Sequence, residues 1–137
     1  MYMLDTNICV FLINNKSQEL AKRITDVPLD EIYVSAITQS ELQYGVSKSQ
    51  HTAKNTQALA KFLSTVTVID YDTKAAETYG EIRAVLERKG QVIGPLDMLI
   101  AAHAKSMGFI IVTNNMSEFG RIDGLVVEDW LQSVQNK

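Results

Sequence analysis

Three carboxylates sit where a chain could put them to chemical use. Asp5 lies in "MLDTNI", where an apolar run breaks into Asp-Thr-Asn and resumes at Ile8; Glu41 lies in "SAITQSELQYG" and Asp97 in "GPLDMLIAAHA". Each has an ordinary structural explanation. Asp5 would cap a helix near Ile8, Thr38-Gln-Ser-Glu41 has capping-box spacing, and Asp97 would complement a helix dipole from the first turn. Taken together, the three are placed at helix starts, at least two of them after strand ends, and such starts converge on one rim of a parallel sheet. Carboxylates gathered there repel one another unless a cation neutralises them. An all-oxygen set without His or Cys suits Mg²⁺, with Mn²⁺ as a substitute. The matching chemistry is attack of water on a phosphodiester, assisted by such an ion.

The elements that must position these acids follow from the hydrophobic pattern. Short runs rich in Val, Ile and Tyr predict strands at Tyr2–Leu4, Ile32–Ser35, Val66–Ile69 and Phe109–Thr113, with a weaker fifth at Leu125–Val127. Helices are expected at Ile8–Ile13, Ser17–Ile24, Thr38–Lys48, Thr52–Leu63, Thr73–Arg88 and Leu96–Met107, with Gly90 and Gly108 ending the last two. Strands alternating with helices give an α/β fold, three layers with a four- or five-stranded parallel sheet. In that arrangement Asp5 follows the first strand, Thr38 and Glu41 the second, Asp70 and Asp72 the third, and Thr113, Asn114 and Asn115 the fourth, with Glu118 just beyond.

A length of 137 residues with 46% apolar content suits a single domain, 1–137, with one core. The longest apolar run is far too short to span a membrane, and no basic, cleavable leader opens the chain, so a cytoplasmic protein is expected. The single cysteine, Cys9, excludes an internal disulfide and a Cys-rich zinc site. The net charge of −3 argues against a broad basic face. Setting three pocket acids aside leaves the remaining acids equal to the 13 basic residues, so a nucleic-acid substrate remains compatible. Lys48, Lys54 and Lys61 lie on adjacent helical segments and could line an RNA path. Asn7 is expected to support Asp5 by a hydrogen bond, His103 to be a core or interface histidine, and Trp130 to pin the end of the chain to the sheet.

The blocks around Asp5, Glu41 and Asp97, with "IVTNNMSEF" near the fourth strand and the ending "GLVVEDW", resemble PIN-domain ribonucleases. More narrowly, they resemble the VapC toxins of bacterial type II toxin–antitoxin pairs, from Met3 to Trp130. The resemblance implies a three-layer α/β/α PIN-like domain whose acidic triad is Asp5, Glu41 and Asp97. Asp5 and Asp97 would bind Mg²⁺ directly, and Glu41 would complete the shell or act through water. Thr113 matches a hydroxyl position near the metal. Asn115 matches a position where many members carry Asp and a subgroup carries Asn; an amide is a poorer ligand for a hard ion, and Glu118 is a candidate to help instead. Leu96 replaces the more usual Phe or Asn, which bears on substrate fit. The implied activity is Mg-dependent endoribonuclease cleavage of transfer RNA, in the anticodon region of the initiator species. The implied partners are a second copy of the chain and a cognate VapB antitoxin whose C-terminal segment lies over the site, with operator DNA bound only through that antitoxin.

Three other functions compete. A phosphorelay receiver needs paired acids at the first strand and a Lys after the fifth, where this chain has Thr6, Asn7 and Glu128-Asp129-Trp130. An aspartyl phosphatase using Asp5 as nucleophile needs a second acid at the position of Asn7. A degenerate PIN-fold binding module without nuclease activity would not need all three triad acids.

Overall fold

Near-continuous apolar runs on short strands, separated by amphipathic helices, require a sheet buried on both faces. The computed structural model describes residues 1–132 and has that form; the last five positions of the expected 1–137 unit lie outside the described residues. Strands β1 (Tyr2–Leu4), β2 (Ile32–Ser35), β3 (Thr67–Ile69), β4 (Ile110–Val112) and β5 (Val127–Glu128) form one parallel sheet in the order β3-β2-β1-β4-β5. The helices are α1 (Thr6–Ile13), α2 (Gln18–Thr25), α3 (Ala36–Ser47), α4 (Thr52–Leu63), α5 (Thr73–Arg88), α6 (Pro95–Met107) and α7 (Met116–Phe119), with a 3₁₀ turn at Leu29–Glu31. Among the described residues, no helix is long and apolar enough to cross a membrane.

Successive strand residues point to opposite faces, and the two central strands each feed both layers. Met3 and Ile111 pack with Ile82, Leu86, Met98, Ala101 and Phe119 on the side of α5, α6 and α7. Their neighbours Leu4 and Val112 pack with Ile8, Leu20, Leu42, Leu59 and Trp130 on the side of α1 to α4. Gly90 and Gly108 end α5 and α6 at φ of 66° and 71°, a backbone region that L side chains rarely occupy.

Several boundaries depart from the sequence reading. Helix α1 begins at Thr6, because Asp5 itself caps it. Helix α3 begins at Ala36, two residues before Thr38, because the Ser35 hydroxyl accepts the Ile37 amide at 3.1 Å. Strand β5 falls later than Leu125–Val127, since pairing of Ile111 with Val127 and Val112 with Glu128 sets its register. Helix α7 is too short for periodicity to reveal. The chain winds outward from β1 through β2 to β3, then crosses back so that β4 lies beside β1. This puts a switch in winding direction at the carboxyl end of β1, where open α/β sheets form their crevices. The receiver-domain alternative fails here, because that fold has the order 2-1-3-4-5.

Trp130 closes the far edge of the α1–α4 layer. It is buried, its ring meets Tyr2 edge-on at 5.0 Å, and its Nε1 donates to Glu128 Oε1 at 2.9 Å. The Arg23 guanidinium stands 5.5 Å from the ring centroid and 3.8 Å from Glu128. Trp130→Ala should therefore lower the unfolding free energy by about 3–5 kcal/mol, through lost burial and an unfilled cavity. Urea denaturation followed by far-ultraviolet circular dichroism measures this, and Trp130→Phe should recover most of the loss.

Candidate active site

Asp5 directly follows β1 and is 3% exposed. Its Oδ1 accepts the Ile8 amide at 2.9 Å, so it does cap α1, and its Oδ2 accepts a short hydrogen bond from the Thr113 hydroxyl. Thr113 follows β4, is fully buried, and in turn accepts the Asn115 amide at 2.9 Å. Burial pushes the Asp5 carboxyl up to about 6; the bonds from Thr113 and Ile8 oppose the rise, and the nearby Asp97 and Glu41 charges add to it. The carboxylate that the sequence singles out is thus also the cap of α1.

Glu41 lies in the second turn of α3, so the capping-box reading is overturned: Ser35 occupies the cap and Thr38 is buried inside the helix. Glu41 Oε1 instead accepts the Thr6 hydroxyl at 2.5 Å, with Thr38 Oγ1 3.3 Å from that hydroxyl. Asp97 sits in the first turn of α6, which opens with Pro95 at a position where a missing amide proton costs nothing. Burial raises the Asp97 carboxyl, and Glu118 and Glu41 push it the same way.

Asn115 and Glu118 form a clamp beside Asp97. Glu118 Oε1 accepts the Gly94 amide at 3.0 Å and Oε2 accepts Asn115 Nδ2 at 2.6 Å. These bonds, that of Asn115 foremost, hold the Glu118 carboxyl below its ordinary value. An Asp at 115 would have no proton to donate and would repel Glu118, so the amide at 115 and the acid at 118 belong together. Glu118 thereby fixes the turn that launches α6 and adds negative charge next to Asp97.

The remaining candidates separate. Asn7 is exposed, and the support expected of it comes from Thr113 and the Ile8 amide. Asp72 caps α5 by accepting the Ala75 amide at 3.0 Å. His103 is fully buried, with Nδ1 2.7 Å from Ser35 Oγ. Ser35 Oγ also accepts the Ile37 amide, and burial holds the imidazole pKa down. This neutral bond ties α6 to the start of α3, linking the helices that carry Asp97 and Glu41. Thr6 and Ser35 escaped the sequence reading; Thr6 meets Glu41 and Ser35 meets His103 more than thirty positions away, and no local pattern signals such contacts.

The charges of Glu41 and Asp97 are near enough to Asp5 to raise its carboxyl, Glu41 also raises that of Asp97, and the ion pairs among the described residues lie elsewhere. The three acids are spread rather than converged: among the described residues no three His, Cys, Asp or Glu side chains are close enough to cage an ion. That spacing fits a hard cation that keeps several waters and takes only one or two carboxylates. Their donors are hydroxyls and amides, which position the oxygens without neutralising them.

Comparison with known proteins agrees with this chemistry. Residues 2–125 match the PIN domain. The tRNA(fMet)-specific endonuclease VapC of Shigella flexneri is 46% identical over 129 residues, covering 94% of this chain and 97% of that protein. Ribonuclease VapC2 of Rickettsia felis is 46% identical over 137 residues, covering 95% and 98%. The crystal structure of Rickettsia felis VapBC2 bound to a promoter DNA fragment contains a chain that superposes with a TM-score of 0.89 at 44% identity, covering 94% of this chain and 98% of that one.

Asp5 makes the metal-free protein pH-sensitive. Its carboxyl binds a proton more tightly folded than unfolded, so the contribution of Asp5 to stability is fully present below about pH 4 and is lost as pH rises through about 6. The shift corresponds to about 3 kcal/mol. Asp5→Asn keeps the acceptor for Ile8, and the Thr113 hydroxyl can turn to accept from the new amide. This variant should flatten the pH dependence and raise the Tm at pH 7. Mg²⁺ at pH 7 should raise the Tm of the parent more than that of the variant. Thr113→Val, which removes the opposing hydrogen bond, should move the midpoint of the pH dependence upward. Thermal melts across pH in chelator and in Mg²⁺ measure all three.

Proposed function

The chain belongs to the PIN-domain family and, within it, to the VapC ribonucleases; from that premise we propose that Asp5, Glu41 and Asp97 are the residues that perform its endoribonuclease reaction. PIN-domain nucleases use divalent ions, and we infer Mg²⁺, with Mn²⁺ able to replace it. The observation that carries this reading is the buried carboxylate of Asp5, raised by burial and facing Glu41 and Asp97 with no cationic side chain paired to them among the described residues. Such an arrangement is relieved by a cation.

Asp5 and Asp97 would hold the ion directly. Asp5 is fixed for this by Thr113 and the Ile8 amide, and Asp97 by the α6 turn that Glu118 clamps. Glu41, oriented by Thr6, would align the attacking water and accept its proton. A bound divalent ion supplies charge neutralisation at the scissile phosphate and a lowered pKa for water. Attack in line then breaks the bond to the 3′ oxygen, leaving a 5′-phosphate and a 3′-hydroxyl. No 2′-hydroxyl takes part, so preference for RNA comes from substrate shape.

The substrate we favour is transfer RNA, the initiator species in its anticodon region, as the name of the Shigella relative indicates for that protein. The protein is the toxin of a type II toxin–antitoxin pair, with a VapB-type antitoxin as its partner. We infer a homodimer acting in the cytoplasm, folded as one unit over 1–137, that meets operator DNA only through the antitoxin. An apolar groove of about 710 Å³ between α1, α2 and α4, lined by Ile13, Ile24, Val27 and Phe62 among others, offers the antitoxin's C-terminal segment a seat, and it shares Ile13 and Ala58 with the hollow that Glu41 lines. An Arg on that segment would find the carboxylates it needs.

Purified, partner-free protein incubated with bulk transfer RNA tests the reading. Discrete fragments with 5′-phosphate ends should appear with Mg²⁺ and disappear with chelator. Asp5→Asn and Asp97→Asn should each reduce the rate by about 10²-fold or more, as loss of several kcal/mol of charge stabilisation requires. Unchanged cleavage by either variant would remove that residue from the site.

A further inference from the structure

Helix α3 carries more than Glu41 on the face that bears it. Tyr44 and Lys48 follow at three and seven residues, so all three share one side of the helix. Tyr44 is 65% exposed, an unusual place for a large ring one turn from a reactive carboxylate. The Lys48 ammonium lies 4.8 Å from the centroid of that ring and restrains it before anything binds. Between Glu41 and α4 lies a hollow of about 410 Å³ whose lining includes Thr6, Glu41, Gly45 and Lys54. Gly45, next to Tyr44, has no protein atom within 4 Å of where a Cβ would stand, so the helix surface there is open. On a chain of net charge −3, Lys54 lines the same hollow as Glu41, and Lys48 stands over the Tyr44 ring on the helix that carries Glu41.

We propose that Tyr44 is the platform on which one unpaired RNA base stacks, with Lys48 and Lys54 receiving the phosphates on either side of it. This rests on the nuclease reading above and adds the form in which the substrate enters. A base within a duplex has both faces occupied, so only a base splayed from a loop or single strand can lie on the ring. Stacking needs a π-face and no particular base edge. The ammonium over the ring is free to swing to a phosphate as the base takes its place, because Lys48 is exposed and unbranched. Tyr44 is therefore a binding residue that brings the backbone past Glu41, and it selects unpaired RNA over duplex.

Binding is measured in chelator, so that it is read whether or not cleavage occurs. The probe is a fluorescently labelled hairpin RNA with an unpaired loop, followed by anisotropy. Tyr44→Ala should weaken binding by about 5- to 150-fold, the range for loss of one base–aromatic stack, and Tyr44→Phe should bind like the parent. Abasic substitution at successive loop positions should reveal one position at which the parent weakens and Tyr44→Ala weakens no further. Lys48→Gln should reduce the salt dependence of binding by about one phosphate contact. The proposal is overturned if Tyr44→Ala binds as tightly as the parent, or if no abasic position closes the gap. It is also overturned if sedimentation shows that Tyr44→Ala changes the oligomeric state, which would make Tyr44 a contact between copies. Failure of the parent to cleave any RNA while these binding differences persist would sink the nuclease reading and leave the platform standing.

Discussion

Burial of one carboxylate at the end of the central strand governs much of this structure. Asp5 stands almost out of contact with solvent, where a charge is costly, and its carboxyl rises accordingly. Its two oxygens are each satisfied by a neutral donor, the Ile8 amide and the Thr113 hydroxyl. Those donors come from the start of α1 and the end of β4, so the bonds that tolerate the charge also fix β1 against β4 at the switch in winding direction. A lysine or arginine would satisfy the carboxylate more strongly, and would also fill the place a cation must take.

The same economy recurs around the site. Glu41 is held by the Thr6 hydroxyl, Glu118 by the Asn115 amide and the Gly94 amide, and the start of α3 by Ser35, which also reaches His103. Hydroxyls and amides give direction without net charge, so the acids remain mutually repulsive and receptive to a divalent ion. His103 fits the pattern: burial keeps it neutral, and a neutral imidazole can join two helices without competing for the carboxylates.

The surfaces near Glu41 divide by chemistry. On the α1, α2 and α4 side an apolar groove leads toward Glu41, suited to a protein segment. On α3, an exposed ring with an ammonium over it suits a base and its phosphates. Both approaches meet at Glu41, whose hollow shares Ile13 and Ala58 with the groove. A partner seated in the groove and an RNA entering over α3 would therefore compete for adjoining surface, which is a direct way to silence a nuclease.

The sequence by itself determined the layers, the parallel sheet and the identity of the acids. Strand alternation at Met3-Leu4 and Ile111-Val112, helical stripes such as Ala75 to Leu86, and the stop at Gly108 are local signals that depend on periods of two and 3.6 residues. The blocks around Asp5, Glu41 and Asp97 were legible for the same reason, since each is a short run whose residue types and neighbours announce it. What holds those acids was not legible. The sequence offered Glu41 a capping box as its ordinary explanation and expected Asn7 to support Asp5; the fold gives the cap to Ser35, Glu41 to Thr6, and Asp5 to Thr113. Thr113 lies 108 positions from Asp5 and Thr6 lies 35 from Glu41. Such pairings exist only once the strand order brings the ends of β1, β2 and β4 side by side, and that order is set by how the two layers pack as a whole.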